Sequence, residues 1–202
     1  MIENLKMIEN SCLICTFGAP VLRKKASFVT EFGDQLEKKA EYMLQSMYTA
    51  NGIGLAAPQI GESIQLVVID LQLEKSEETV ILDGRTLPLQ LVQPFCFINP
   101  NFEPVNDVKI SEEEGCLSLP DVRGNVSRFH EIKLTYQDLW GVQHVLQCRN
   151  LFARCIQHEC DHLRGILFID HLSKTERKDN QALLEDIKAL GGQFDYATLE
   201  DE

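Results

Sequence analysis

Large basic patches, long apolar runs and paired cysteines are what this sequence lacks. Its 19 Lys and Arg stand against 31 Asp and Glu, a formal net charge of −12. No basic run offsets that charge, which excludes binding to nucleic acid through its phosphates as the main activity. The acidity serves solubility, and no function is read into it. No apolar stretch approaches the roughly 20 residues of a membrane span. Met1 to Asn10 carry two glutamates and no apolar centre of a secretory signal. Seven cysteines, an odd number without such a signal, read as thiols in a reducing cytosol rather than a disulfide framework. Cys12-Leu13-Ile14-Cys15 is a lone C-x-x-C with no second pair at zinc-ribbon spacing, and is read as coincidence. The expectation is a cytoplasmic protein with no membrane partner and no nucleic-acid site.

What is present suits one globular domain. The 202 residues are 44% hydrophobic and 25% charged, ordinary values, and too few for two comfortable cores. No internal repeat or interdomain linker stands out. Gly18 to Arg23 reads as a turn leading into a loop. A helix is expected from about Asp34 to Ala50, with Asp34 as cap, Glu37 three residues on, and Leu36, Ala40, Met43, Leu44 and Met47 on one apolar face. Asn51-Gly52 ends it, since both tolerate a left-handed cap. Ile64 to Leu71 reads as a buried strand, and Asp83-Gly84 as a hairpin turn between short strands. Phe95 to Ile98 reads as a strand closed by Asn99-Pro100-Asn101. Ile132, Leu134 and Tyr136 alternate with polar neighbours, and Gln143 to Gln147 returns as the partner strand. Two more helices follow, about Asn150 to Leu163 and Lys174 to Ala189, the second closed by Gly191-Gly192. Residues 1–14 read as an N-terminal extension and 193–202 as a flexible acidic tail.

The chemistry concentrates in Gln157-His158-Glu159-Cys160-Asp161-His162, an H-E-x-x-H pattern. On a helix the two histidines share a face and can reach one metal ion, with Glu159 beside it to move a proton. Catalytic metal sites generally use three protein ligands. The metzincin extension fails, because Gly165 fits but the position of the next histidine holds Phe168. Glu176, Glu185 and Cys116 remain as third-ligand candidates. The stretch Gly52-Ile53-Gly54-Leu55-Ala56-Ala57-Pro58-Gln59 has small residues that let another backbone approach, but no P-loop spacing. Glu112-Glu113-Glu114 would ordinarily be a solvated run, yet it leads directly into Gly115-Cys116.

Three motifs thus stand in order: GIGLAAPQ (Gly52–Gln59), EGCLSLP (Glu114–Pro120) and QHECDHLRG (Gln157–Gly165). Together they resemble peptide deformylase, the enzyme family that removes the N-formyl group from new polypeptides, over roughly Cys15 to the Lys174–Ala189 helix. The region from Gln72 to Pro94 looks longer than in compact members, and Met7 leaves the start of the chain open. The resemblance implies an α+β single domain of antiparallel sheets packed around a central C-terminal helix carrying HExxH. It implies Cys116, His158 and His162 as metal ligands, Glu159 as general base and acid, and Gln59 with the Leu117 backbone N–H as the oxyanion hole. Ile53, Gly54 and Gly115 would pair with substrate backbone, Arg123 would lie near the peptide's outer end, and Leu151 and Cys155 would line the methionine pocket. Partners would be N-formylmethionyl nascent polypeptides, with transient ribosome contact. Ligand type alone suits Zn²⁺, whereas the resemblance implies Fe²⁺, with Zn²⁺, Ni²⁺ or Co²⁺ as other occupants. The competing readings are a zinc endopeptidase using a downstream glutamate, and a non-enzymatic Cys/His module with four protein ligands.

Overall fold

A computed structural model describes residues 13–73 and 76–196. Cys12, the segment Met1–Asn10 with Met7, Glu74-Lys75 of the expected exposed loop and the end of the acidic tail lie outside the described residues. The organising element is a sheet of seven antiparallel strands. In chain order these are β2 (Gly54–Ala56), β3 (Leu66–Ile69), β4 (Thr79–Leu82), β5 (Arg85–Pro88), β6 (Phe95–Pro104), β9 (Glu131–Gln137) and β10 (Gln143–Arg149). Their spatial order is β2-β3-β6-β9-β10-β4-β5. A long separate hairpin joins β7 (Lys109–Cys116) to β8 (Leu119–Phe129), and β1 (Leu13–Cys15) pairs with β11 (Gln193–Asp195).

Strand alternation decides which helix each sheet face receives. Val67 and Ile69 of β3, with Phe97, Ile132, Leu134 and Tyr136, face Phe152, Ile156, Cys160 and Leu163 of helix α2 (Asn150–Leu163). Leu66 and Val68, with Leu55 and Ile98, face Leu36, Ala40, Met43 and Met47 of helix α1 (Asp34–Thr49). β3 is therefore buried on both sides, which is why Leu66-Val67-Val68-Ile69 is an unbroken apolar run. A third cluster seats β8, through Leu119, Val122 and Val126, on Phe168, Leu184 and Ile187.

Helix α2 is the central element expected from the resemblance, and Phe152 to Leu163 are all buried. The architecture is the anticipated α+β single domain, with local corrections. Gly33, at φ +105°, is the N-cap of α1, so Asp34 sits inside the first turn without capping it. Asn99-Pro100-Asn101 does not end β6, because a bulge between Ile98 and Asn101 absorbs the left-handed Asn99 and the strand resumes. The expected Lys174–Ala189 helix is two helices, α3 (Lys174–Asp179) and α4 (Gln181–Ala189). Asn180 divides them, its side-chain amide donating to Arg123 O at 3.1 Å and Glu176 O at 2.9 Å. Pro20–Arg23 forms a short 3₁₀ turn. The extension drawn to 14 and the tail drawn from 193 each overlap a strand, since Leu13 pairs with Asp195 and Cys15 with Gln193.

The turn at Asp83-Gly84 has both residues at positive φ, as expected for its hairpin. His144 contacts Asp83 at 2.7 Å and Asp138 at 3.4 Å. The Asp83 hydrogen bond raises the His144 pKa, and the Val145 N–H with His144 lowers that of Asp83. The histidine's contribution is complete below its unfolded pKa of about 6.5 and is lost as pH rises through its raised folded value. The aspartate's contribution is complete above about pH 4 and is lost on acidification. The melting-temperature difference between wild type and His144→Gln should thus be largest between about pH 4 and 6.5. Equal differences at about pH 5.5 and pH 8.5 would contradict this.

Candidate active site

Helix α2 meets the tip of the β7–β8 hairpin at a group of three donors. The ligand atoms of Cys116, His158 and His162 all lie within 4.8 Å of one another. Cys116 Sγ is 3.3 Å from His162 Nε2. Two donors bound at ~2.0–2.3 Å to one ion in a tetrahedral shell stand about 3.5 Å apart, so the spacing fits a shared ion. Burial holds the His162 pKa well below its ordinary value, keeping the ring neutral with a lone pair to offer. The set of one thiol and two imidazoles is a transition-metal ligand set. Among the described residues it is the one such group of three or more. Glu176 and Glu185 are elsewhere: Glu176 accepts from Ser173 and Asn125, and Glu185 from Gln181.

His158 is aimed by Glu114. Its Nδ1 lies 2.9 Å from Glu114 Oε2, so Nδ1–H donates there and Nε2 is turned toward Cys116, the side on which a shared metal would be held. Glu114 is itself held by Arg128 through Nε at 2.9 Å and Nη2 at 3.0 Å, and by Arg154 Nη1 at 2.7 Å. Arg128 also donates to Asp161, which accepts from His171 at 2.7 Å. Burial alone would raise the Glu114 pKa, but the bonds from His158 and Arg128 outweigh it and hold the carboxyl well below the usual range. The network sets two buried carboxylates against two buried guanidiniums, so it carries no net charge into the interior. Removing Arg128 would leave Glu114 to Arg154 and His158, and Asp161 to His171, so each buried carboxylate would lose its guanidinium partner Arg128 and keep another partner.

Glu159 is 4% exposed, and burial pushes its carboxyl up to about 7. Its Oε2 has no hydrogen-bond partner, an orphaned buried oxygen next in sequence to a candidate ligand. Gly54 makes room for it: a Cβ there would lie 2.6 Å from Glu159 Oε1 and 2.7 Å from Cys155 Sγ. Gln59 is oriented by its carbonyl oxygen, which accepts from Ala56 N–H at 2.8 Å. Its NH₂ therefore points at Ser118 Oγ, 3.2 Å away, and Cys116 Sγ, 3.6 Å away. Leu117 lies at the hairpin tip, where Cys116 faces Leu119.

A cleft of about 690 Å³ collects these groups. Of the site residues implied by the resemblance, His162 alone is not on its wall; it is buried, in contact with Cys116. Ile53 and Gly54 line the cleft where the chain enters β2, the outermost strand of its sheet, and Gly115 lines it from the bulged end of β7. Arg123 lies over Gly115 so closely that a Cβ there would fall 2.2 Å from its Nη1. Leu151, exposed, and Cys155, buried, line the wall beside His158.

Sequence reading missed Arg128, Arg154, Asp161 and Ser118. Arg128 had a signal: Val122, Gly124, Val126 and Arg128 follow one another at strand spacing, and all face inward. A charged residue in such a series needs a buried counter-charge. It also missed Phe194 and Tyr196, which reach the cleft from the segment read as a tail.

Comparison with known proteins identifies the family. The family model for polypeptide deformylase matches residues 12–178. A peptide deformylase of Opitutus terrae is 45% identical over 181 residues, covering 89% of this chain and 93% of that protein. One from Brucella suis is 42% identical, covering 78% and 82%. Among solved structures, the peptide deformylase of Synechococcus elongatus in complex with actinonin superposes with a TM-score of 0.72 at 39% identity, covering 86% of each chain. That of Thermus thermophilus gives 0.74 at 35% identity, covering 88% of this chain and 97% of the other. The chain belongs to the polypeptide deformylase family, metal-dependent hydrolases that remove the N-formyl group from nascent polypeptides.

Proposed function

We propose that this chain carries out deformylation with Cys116, His158 and His162 holding a divalent ion and Glu159, Gln59 and the Leu117 N–H acting on the formyl group. The observation that carries this reading is the convergence of a thiol, an imidazole, an unpartnered buried carboxylate and an oriented amide on one cleft, with a second imidazole buried in contact with the thiol. When bound, the ion supplies Lewis acidity, polarising the formyl oxygen and making water acidic enough to attack near neutral pH.

The chain's own groups do the rest. Glu159 takes the proton released by the attacking water and returns it to the departing amine. Gln59 Nε2 and Leu117 N–H hold the formyl oxygen as it gains charge; loss of one such donor typically costs about 10²–10³ in rate. The substrate backbone adds as a strand between Ile53 and Gly54, at the start of the edge strand β2, and Gly115 on β7. The methionine side chain enters between Leu151 and Cys155, and Arg123 meets the peptide farther out. Nascent formylmethionyl chains place the reaction in the cytoplasm, with transient contact to the ribosome. We assign Fe²⁺ as the working ion, loaded through its availability to a thiolate site in a reducing compartment, although affinity order alone favours Zn²⁺.

The defining assay is formate release from formyl-Met-Ala-Ser. Glu159→Ala should retain the metal and lose turnover by about 10²–10⁴, while Cys116→Ala should lose both. A metal-replete, active Cys116→Ala protein would refute the ligand set. Gly54→Ala, which pushes a methyl into Glu159, should lower kcat roughly a hundredfold with metal content unchanged. Wild-type kcat in that variant would show that Glu159 does not need its present place. Apo-protein reloaded without air should be more active with Fe²⁺ than with Zn²⁺ and should lose activity in air. A zinc form as active as the iron form, with no harm from air, would overturn the iron assignment.

A further inference from the structure

The hairpin tip that carries Cys116 and Leu117 is a two-residue turn, Leu117-Ser118, and it is pinned from outside the hairpin. Phe17 N–H donates to Ser118 O at 2.9 Å. The Tyr196 hydroxyl donates to Leu117 O at 2.6 Å. Gln59 Nε2 reaches Ser118 Oγ at 3.2 Å. Phe17 lies just past β1 and Tyr196 immediately after β11, and these two strands pair with each other. The terminal strand pair thus acts as a clamp on the tip. Tyr196 packs edge-on to Phe194, ring centres 4.9 Å apart, and both rings line the same cleft as Glu159.

A short turn makes few backbone hydrogen bonds of its own, so the direction of its peptide groups depends on outside partners. The Leu117 N–H and C=O flank one Cα, and fixing the carbonyl restricts the rotation that would swing the N–H away. Resting on the reading that Leu117 N–H binds the formyl oxygen, we propose that Tyr196 is a positioning residue for deformylation. Its hydroxyl fixes the Leu117–Ser118 peptide and, across the shared Cα, restrains the Cys116–Leu117 peptide so that the Leu117 N–H points at the charge developing in the transition state. The tyrosine ring walls the cleft against the peptide beyond the methionine. Preorganised donors of this kind raise kcat, because they need no reorientation when the charge appears.

Tyr196→Phe keeps the ring and removes only the donor. On formyl-Met-Ala-Ser its kcat should fall about five- to tenfold, the rate equivalent of one ordinary hydrogen bond. KM and metal content should match wild type. Tyr196→Leu should show the same loss in kcat and, lacking the ring, a raised KM as well. A kcat within about twofold of wild type in either variant overturns the proposal. So does a loss that merely follows metal content or the folded fraction, since that is a structural role. Wild-type protein that releases no formate refutes the reading of the reaction itself, and this assignment with it. Wild-type activity with unaffected variants refutes this assignment alone.

Discussion

The carboxylate of Glu114 is the contact on which the arrangement of the site depends. It sits two residues before Cys116 on the hairpin and reaches across to His158 on the helix. One side chain therefore sets the distance between a candidate sulfur ligand and a candidate nitrogen ligand on separate elements. It can do so in the interior only because Arg128 and Arg154 satisfy it from two sides. Arg154 also ties down the hairpin backbone, donating to Val126 O at 2.9 Å and Ile110 O at 2.6 Å. A charged network in this position is a doubtful source of net stability, since desolvation offsets much of the attraction. Its worth here is geometric: it allows one orientation of His158 and one docking of hairpin on helix.

Close packing supplies the second constraint. Helix α2 is buried from Phe152 to Leu163, so its charged residues project between packed strands rather than into water. Glu159 fits because Gly54 has no side chain, and Arg123 lies flat because Gly115 has none. Gly54 leaves room for Glu159 and Gly115 for Arg123, and on the proposed reading the same bare backbone admits a substrate peptide. One residue type at one position meets both demands, because bare backbone is needed on one side and empty volume on the other.

Much of this was legible in the residues. The apolar face of α1, the buried run of β3 and the alternation in β9 follow from periodicity, because burial on one face or two leaves a direct trace in side-chain type. HExxH located two candidate ligands and the carboxylate, and the combination of three motifs pointed to Cys116. What stayed hidden depends on tertiary partners. Nothing local marks Glu114 as buried, since three consecutive glutamates look solvated until Arg128 and Arg154 are brought to them. The break at Asn180 rests on a bond to Arg123 O in another element. Gln193–Asp195 resembled a tail because a three-residue edge strand has too little pattern to announce itself without its partner.

That last pairing has a consequence in time. The two strands of the clamp lie at opposite ends of the described chain, with Leu13 bonded across to Asp195. During synthesis at ~5–20 residues per second, the first strand waits roughly 10–40 s for its mate to be made. The sheet and the HExxH helix are all encoded upstream and are free to fold in that interval, so loop closure between the ends is among the last steps. An enzyme that works on unfinished chains thus has to wait, in its own synthesis, for β11 before the strand pair that pins its hairpin tip can close.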